Sequence, residues 1–164
     1  LPEARDLTFI PIKKGLKMID VGSKQPTSRK AIAEGRISLS KSLIEKIKKR
    51  TIPKGDVLKT AEIAGLLAIK NTPHVIPHCH VVKITGGKID FNINRESVTV
   101  RSEVTGIDRT GFEMEALYGV AVALLTIYDM CKFSGLQMEL NRIHLVEKTG
   151  GKKQWRRKRG GSTR

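Results

Sequence analysis

Five groups of side chains have the types and spacing to do chemistry. Asp129 and Lys132 stand three residues apart, so on a helix they share a face. Their neighbours Tyr128, Met130, Cys131 and Phe133 are mostly apolar. That setting predicts a partly buried Asp–Lys pair suited to proton transfer, against the plainer alternative of a surface ion pair. Lys54-Gly55-Asp56 places a lysine at the mouth of a helix. This is either an anion site, built from free N–H groups and the ammonium, or a capped turn with a solvated lysine. Pro77-His78-Cys79-His80 is the densest cluster. If extended, it points His78 and His80 one way and Cys79 the other, and a histidine there can act as acid, base or hydrogen-bond donor. A metal would also need His74, Cys131 or His144, and no spacing supports that set, so no metal is assigned. Thr110-Gly111-Phe112-Glu113 fits a capping box, a structural role for Glu113. Glu115 in the same first turn has no such role, and Met114 between them reads as core. Lys148-Thr149-Gly150-Gly151-Lys152 suits a loop wrapping phosphate oxygens, without the spacing of a Walker loop.

These groups need elements to hold them. Leu16 to Val21 is a short strand candidate, and Ala31 to Leu39 alternates as a strand. Ser40 caps a helix over Lys41 to Arg50, and Asp56 caps a second over Val57 to Lys70. Pro73 and Pro77 bracket an irregular segment. Val81 to Thr85, Lys88 to Asn94 and Ser97 to Thr105 read as strands, the last two joined by a hairpin at Arg95-Glu96. Gly111 to Lys132 is the longest helix, and Met138 to Lys148 closes as a strand. From residue 31 the order is strand, helices, two paired strands, helix, strand. That is the split βαβ arrangement of an α+β ferredoxin-like sandwich, an antiparallel sheet with helices on one face. Between Ala116 and Ile127 only Tyr118, Gly119 and Thr126 interrupt the apolar character. Such a helix must be covered on most sides, so contact between subunits is expected.

The 164 residues carry 31 Lys plus Arg against 16 Asp plus Glu, a net charge of +15. About half of the excess lies in 152–164, with seven basic residues and no acid; the tail 153–164 is read as flexible and solvated, 1–17 is an N-terminal segment, and 18–152 one domain. The run from Ala116 to Met130 is shorter than the ~18 apolar residues of a membrane span, so no membrane partner is expected. No basic start with an apolar segment opens the chain as given, and with two cysteines a reducing cytoplasm is the expected location. Charge alone invites a basic nucleic-acid-binding module on the same topology. Such modules stack bases on aromatics in the central strands, whereas here only Phe91 is available, and its alternation with Ile89 and Ile93 puts it on the core side.

Several blocks occur together: Lys54-Gly55-Asp56-Val57, Thr60-Ala61, Ile63-Ala64-Gly65, Ile76-Pro77 and Cys79-His80; then Gly111, Glu113-Met114-Glu115-Ala116-Leu117, Leu125-Thr126-Ile127-Tyr128-Asp129-Met130-Cys131-Lys132, and Lys148 to Lys152. In this order and spacing, from about Met18 to Lys152, the sequence resembles the MoaC family. His78 and Val81 depart from the Leu and Pro common there. The resemblance implies a ferredoxin-like subunit in a hexamer, a trimer of dimers with active sites at the interfaces. It implies a lyase of molybdenum-cofactor biosynthesis that converts a cyclised dihydroguanosine triphosphate to cyclic pyranopterin monophosphate and releases pyrophosphate. Carried over by position, Asp129, Lys132, Lys54 and His80 are expected to be catalytic. Cys79, Glu113, Met114, Glu115, Lys148, Lys152, Lys24 and Arg29 are expected to bind substrate. Lys54, Lys148 and Lys152 suit the triphosphate, and Asp129 with Lys132 suits proton transfer. No resident cofactor is expected, Mg²⁺ is a candidate companion of the triphosphate, and the tail is expected to make only nonspecific contact with nucleic acid.

Overall fold

The computed structural model describes residues 17–135 and 137–158. Strand β1 (Thr27–Ser38) leads into helices α1 (Lys41–Lys48) and α2 (Val57–Val75), then β2 (Ile84–Ile93), β3 (Ser97–Asp108), α3 (Glu113–Cys131), β4 (Glu139–Thr149) and β5 (Trp155–Arg156). The five strands form one antiparallel sheet in the order β2-β3-β1-β4-β5. The first four strands in that order make the expected α+β ferredoxin-like sandwich, with the helices on one face.

Local signals account for most boundaries. The Ser40 hydroxyl accepts from Leu43 N at 3.2 Å and the Asp56 carboxylate from Lys59 N at 3.1 Å, so both expected caps form. Asn94 N donates to Ser97 O at 2.8 Å, which closes the Arg95-Glu96 hairpin. Phe91, Ile89 and Ile93 all face the core, as their alternation requires.

Other expectations change. Lys17 to Val21 has no regular secondary structure, and Leu16 lies outside the described residues, as does 1–16 of the N-terminal segment. Helix α2 runs past Lys70 and through Pro73 to Val75. Proline removes the N–H that would bond the Ile69 carbonyl. The buried Thr72 hydroxyl covers the loss, donating to Ile69 O at 3.2 Å and Ala68 O at 3.0 Å. Val81 to Lys83 is not strand, and Ile84 to Ile93 is one strand with a bulge between Ile84 and Gly86. The tail is partly placed: Trp155–Arg156 forms β5 against β4, and residues 159–164 lie outside the described set.

Helix α3 is the centre of the core. Ala116, Val120, Ala123, Leu124 and Ile127 are buried against Ala31, Ala33 and Ile37 of β1, Val98, Val100 and Val104 of β3, and α2. With its final turn α3 is long and apolar enough to cross a membrane by composition alone, more than the shorter run of the sequence indicated. Burial against sheet and α2 explains that composition for eight of its residues. The outward Leu125, with Ile63 and Leu67 of α2, stays exposed. The opposite sheet face is polar and laced with ion pairs, among them Glu34–Arg101 and Lys88–Asp90.

Strand β1 and α3 approach closely at Gly35. A Cβ there would stand 2.7 Å from Val120 Cγ1 and 2.8 Å from Leu124 Cδ1, both in the core. Gly35→Ala should therefore destabilise by about 1–3 kcal/mol through overpacking, read as a lower urea midpoint. An unchanged midpoint would show that this crossing has slack.

Candidate active site

The ionisable groups collect at the two ends of α3. At its N-terminal end, Phe112 occupies the cap position with no side-chain hydrogen bond. The expected capping box is therefore absent. The Glu113 carboxylate instead accepts from Lys148 Nζ of β4 at 2.7 Å, a stronger charge-assisted partner than a backbone N–H. Glu115 turns inward and is only 2% exposed. Burial first, then the charges of Glu113 and Asp108, push its carboxyl up to about 7, against the lowering by its own backbone N–H. A pocket of about 330 Å³ brings Glu113, Met114 and Glu115 together with His78, Cys79 and His80. Met114 is half-exposed there rather than core. Burial, aided by Glu115, raises the Cys79 thiol, which keeps it protonated and a poor nucleophile. Among the described residues no three His, Cys, Asp or Glu side chains are grouped as metal ligands.

This pocket shares Thr110, Gly111 and Glu113 with a larger cleft of about 780 Å³. Lys24, Arg29, Lys30, Arg109, Lys148, Lys152 and Lys153 line the cleft, with Glu113 as its one acidic residue. Backbone carbonyls hold the two guanidinium groups in place: Arg29 Nε donates to Asp108 O at 3.0 Å, and Arg109 Nε to Lys24 O at 3.0 Å. The chain turns through Gly150 (φ +86°) and Gly151 (φ +70°) against Arg29. A Cβ on Gly150 would lie 2.2 Å from Ser28 O, so only glycine lets the loop close this tightly. Arg109, Lys30 and Lys153 belong to none of the five groups that the sequence offers. Arg109 adjoins the Thr110-Gly111 block, and that adjacency is its one local signal.

The second cluster lies at the other end of α3. Lys54 Nζ donates to Asp129 Oδ2 at 2.8 Å and Asp129 O at 2.9 Å, while Lys132 Nζ pairs with Asp129 Oδ1 at 2.8 Å. A carboxylate in the last turn of a helix meets the negative end of the dipole, and the two ammonium groups offset this. Lys132 first, then Lys54, hold the Asp129 carboxyl down at about 2, and Asp129 raises Lys132 in turn. The cluster is open, with the Asp129 side chain 55% exposed, not partly buried as its neighbours suggested. The capped turn of its motif forms at Asp56, but Lys54 is paired with Asp129 instead of being merely solvated. It does not join Lys148 and Lys152 within one subunit. Glu113 and Asp129 are sixteen residues apart on one helix, about 24 Å.

A sequence model described as the MoaC family matches residues 18–151. The chain belongs to the MoaC family. Among similar MoaC-family proteins, a cyclic pyranopterin monophosphate synthase of Clostridium perfringens (strain 13 / Type A) is 49% identical over 148 residues, 89% of this chain and 94% of that protein. One of Thermoanaerobacter pseudethanolicus is 45% identical over 149 residues, 90% and 94% of the two chains. One of Listeria innocua is 45% identical over 148 residues, 90% and 92%. These relatives are enzymes by name, and the matched region spans both clusters.

Glu115 gives a pH test. Its carboxyl keeps a proton to about pH 7 when folded, against an ordinary 4.5, while the unfolded chain releases it earlier. Its contribution to stability is full below about pH 4.5 and is lost as pH rises to about 7, by roughly 3 kcal/mol at most. The difference in urea stability between wild type and Glu115→Gln should change across that window and level off above it. A flat difference from pH 4.5 to 8 would refute the raised carboxyl.

Proposed function

We propose that this chain converts a cyclised dihydroguanosine triphosphate into cyclic pyranopterin monophosphate and pyrophosphate, as a phosphorus–oxygen lyase of molybdenum-cofactor biosynthesis. The observation that carries the reading is the cationic cleft opening into the Glu115 pocket. Seven cations and one carboxylate fit a triphosphate, and the adjoining pocket offers carboxylates and imidazoles to the purine-derived N–H groups. The names of the relatives at 45–49% identity support the same reaction. A base-binding platform is not favoured: Phe91, the one Phe, Tyr or Trp of β1–β4, packs into the core.

The bond changes follow from substrate and product. A substrate hydroxyl must attack the innermost phosphorus and lose its proton, while the bond to the bridging oxygen breaks and pyrophosphate leaves. Lys24, Arg29, Arg109, Lys148 and Lys152 neutralise the charge that grows on the leaving group. Glu115 and His80 stand beside the base pocket, where a carboxyl titrating near 7 can give or take a proton at neutral pH. Asp129 stays ionised, so the proton carriers of its cluster are the Lys132 and Lys54 ammonium groups that it orients. Cys79 contributes a protonated thiol to the pocket wall, not a nucleophile. The free thiols of Cys79 and Cys131 fit a cytoplasmic location.

One nucleotide cannot bridge about 24 Å of helix, so Lys54, Asp129 and Lys132 act on substrate held by a second copy. The exposed Leu125, Ile63 and Leu67 supply apolar surface for assembly, in keeping with a hexamer made of dimers that share active sites.

Single-turnover assays should show a strong loss for Lys54→Ala, Lys132→Ala and Asp129→Asn, with folding checked. Near-normal rates in all three would reject the site. Shared sites make a sharper prediction. Lys132→Ala and Glu115→Gln chains, inactive alone, should regain about a quarter of wild-type turnover when co-refolded, because mixed dimers contain one intact site. No recovery on mixing would place both clusters in the same subunit's site.

A further inference from the structure

The basic run after Gly151 reads as a solvated tail, and residues 151–158 are exposed, yet Arg156 and Arg157 bond back to β4. The chain leaves β4 at Thr149, turns through Gly150 and Gly151, and returns as β5 with Lys148 opposite Trp155 and Glu147 opposite Arg156. Arg157 N donates to Val146 O at 2.8 Å and Arg157 Nε to Leu145 O at 3.1 Å. Arg156 Nε donates to Glu147 Oε2 at 2.7 Å, and Lys30 Nζ reaches Glu147 Oε1 at 3.2 Å. Glu147 is only 7% exposed, so it is a nearly buried carboxylate that joins β1, β4 and β5. Two of its neighbours in the sheet, Lys148 and Lys30, line the cationic cleft.

We infer that β5 is a clasp for the cleft, and that Arg156, acting through Glu147, is a positioning residue for Lys148 and Lys152. This inference rests on the triphosphate reading of the cleft. Lys152 and Lys153 lie on a connection tied at both ends, by β4 on one side and β5 on the other. Untied at β5, they would be anchored by β4 alone and would have to be ordered by each incoming ligand. A loop ordered in advance avoids that entropic cost, which appears as weaker binding when the tie is cut. Glu147 adds the register: with Arg156 gone, a nearly buried carboxylate keeps Lys30 alone, and the end of β4 that carries Lys148 loses its outer strand.

The test compares Arg156→Ala with Lys158→Ala in the full chain, since Lys158 is exposed and its loss removes the same charge. Inorganic triphosphate is the probe, titrated by calorimetry at fixed ionic strength. Arg156→Ala should weaken binding about tenfold and raise KM more than it lowers kcat, because the Lys54–Asp129–Lys132 cluster is untouched. It should also speed amide exchange at Arg157, whose N–H is held by Val146. Arg156→Lys should recover part of the affinity, and Lys158→Ala should stay close to wild type. Equal weakening by Arg156→Ala and Lys158→Ala overturns the clasp, because net charge alone then explains the tail. Faster exchange without weaker binding, or no binding of triphosphate by the wild type, overturns it as well. A wild type that binds triphosphate but releases no pyrophosphate from the cyclised nucleotide would refute the proposed reaction and leave the clasp standing.

Discussion

A charge cannot sit unpaired in the middle of an apolar helix, and α3 is apolar for most of its length. That constraint sorts the ionisable side chains. Every carboxylate and ammonium group of the candidate site lies at one end of the helix or the other. The sheet and α2 bury one side of the middle, and no ionisable side chain of the site lies along it. The core that stabilises the subunit therefore also divides its chemistry into two halves. The proposed reaction would need a second copy to bring one half to the other.

The two ends impose opposite conditions on their acids. At the N-terminal end the dipole favours a carboxylate, yet burial outweighs it and raises Glu115. At the C-terminal end the dipole opposes a carboxylate, yet two lysines outweigh it and depress Asp129. In both cases the local helix field loses to a stronger neighbour: desolvation at one end, charge-assisted hydrogen bonds at the other. One acid is thereby poised near neutral pH and the other is held as a fixed anion. A reaction that needs both proton exchange and stable positioning can draw on each.

What the sequence made legible was local. Ser40, Asp56 and the Arg95-Glu96 turn announce their elements because a cap or turn is decided within a few residues. Alternation places Phe91 on the core side for the same reason, and that placement alone leaves nucleic-acid bases no aromatic platform on β2 or β3. What stayed hidden depends on distant partners. Pro73 reads as a helix breaker unless the Thr72 hydroxyl is known to cover the Ile69 carbonyl. Thr110 and Glu113 read as a capping box unless Lys148 is known to stand 2.7 Å away. Lys54 reads as solvated or anion-binding until it is placed against Asp129, 75 residues on. The site residues are legible as a set through family resemblance, but their division into two clusters is not, since it is a property of α3 in three dimensions. Strand β5 is the hardest to foresee, because a run of lysine and arginine carries no alternation of apolar and polar residues.

The cleft raises a last physical question: what holds seven cations together around so little negative charge. Their mutual repulsion costs stability, more at low salt, where screening is weak. The structure meets it with dipoles as well as charges, since Lys30 also pairs with Glu147. Carbonyl oxygens of Lys24, Asp108 and Arg109 take the Arg29 and Arg109 guanidinium groups, and Glu113 takes Lys148. The carbonyl partners fix the two guanidinium groups without cancelling their charge, so the two carboxylates offset only part of the field. The field remains available to a polyanion, whose binding relieves the repulsion and so favours the folded state. The net charge of +15 thus acts through its placement: cations held by carbonyls face the cleft, while the cations of the C-terminal strand brace the loop that closes it.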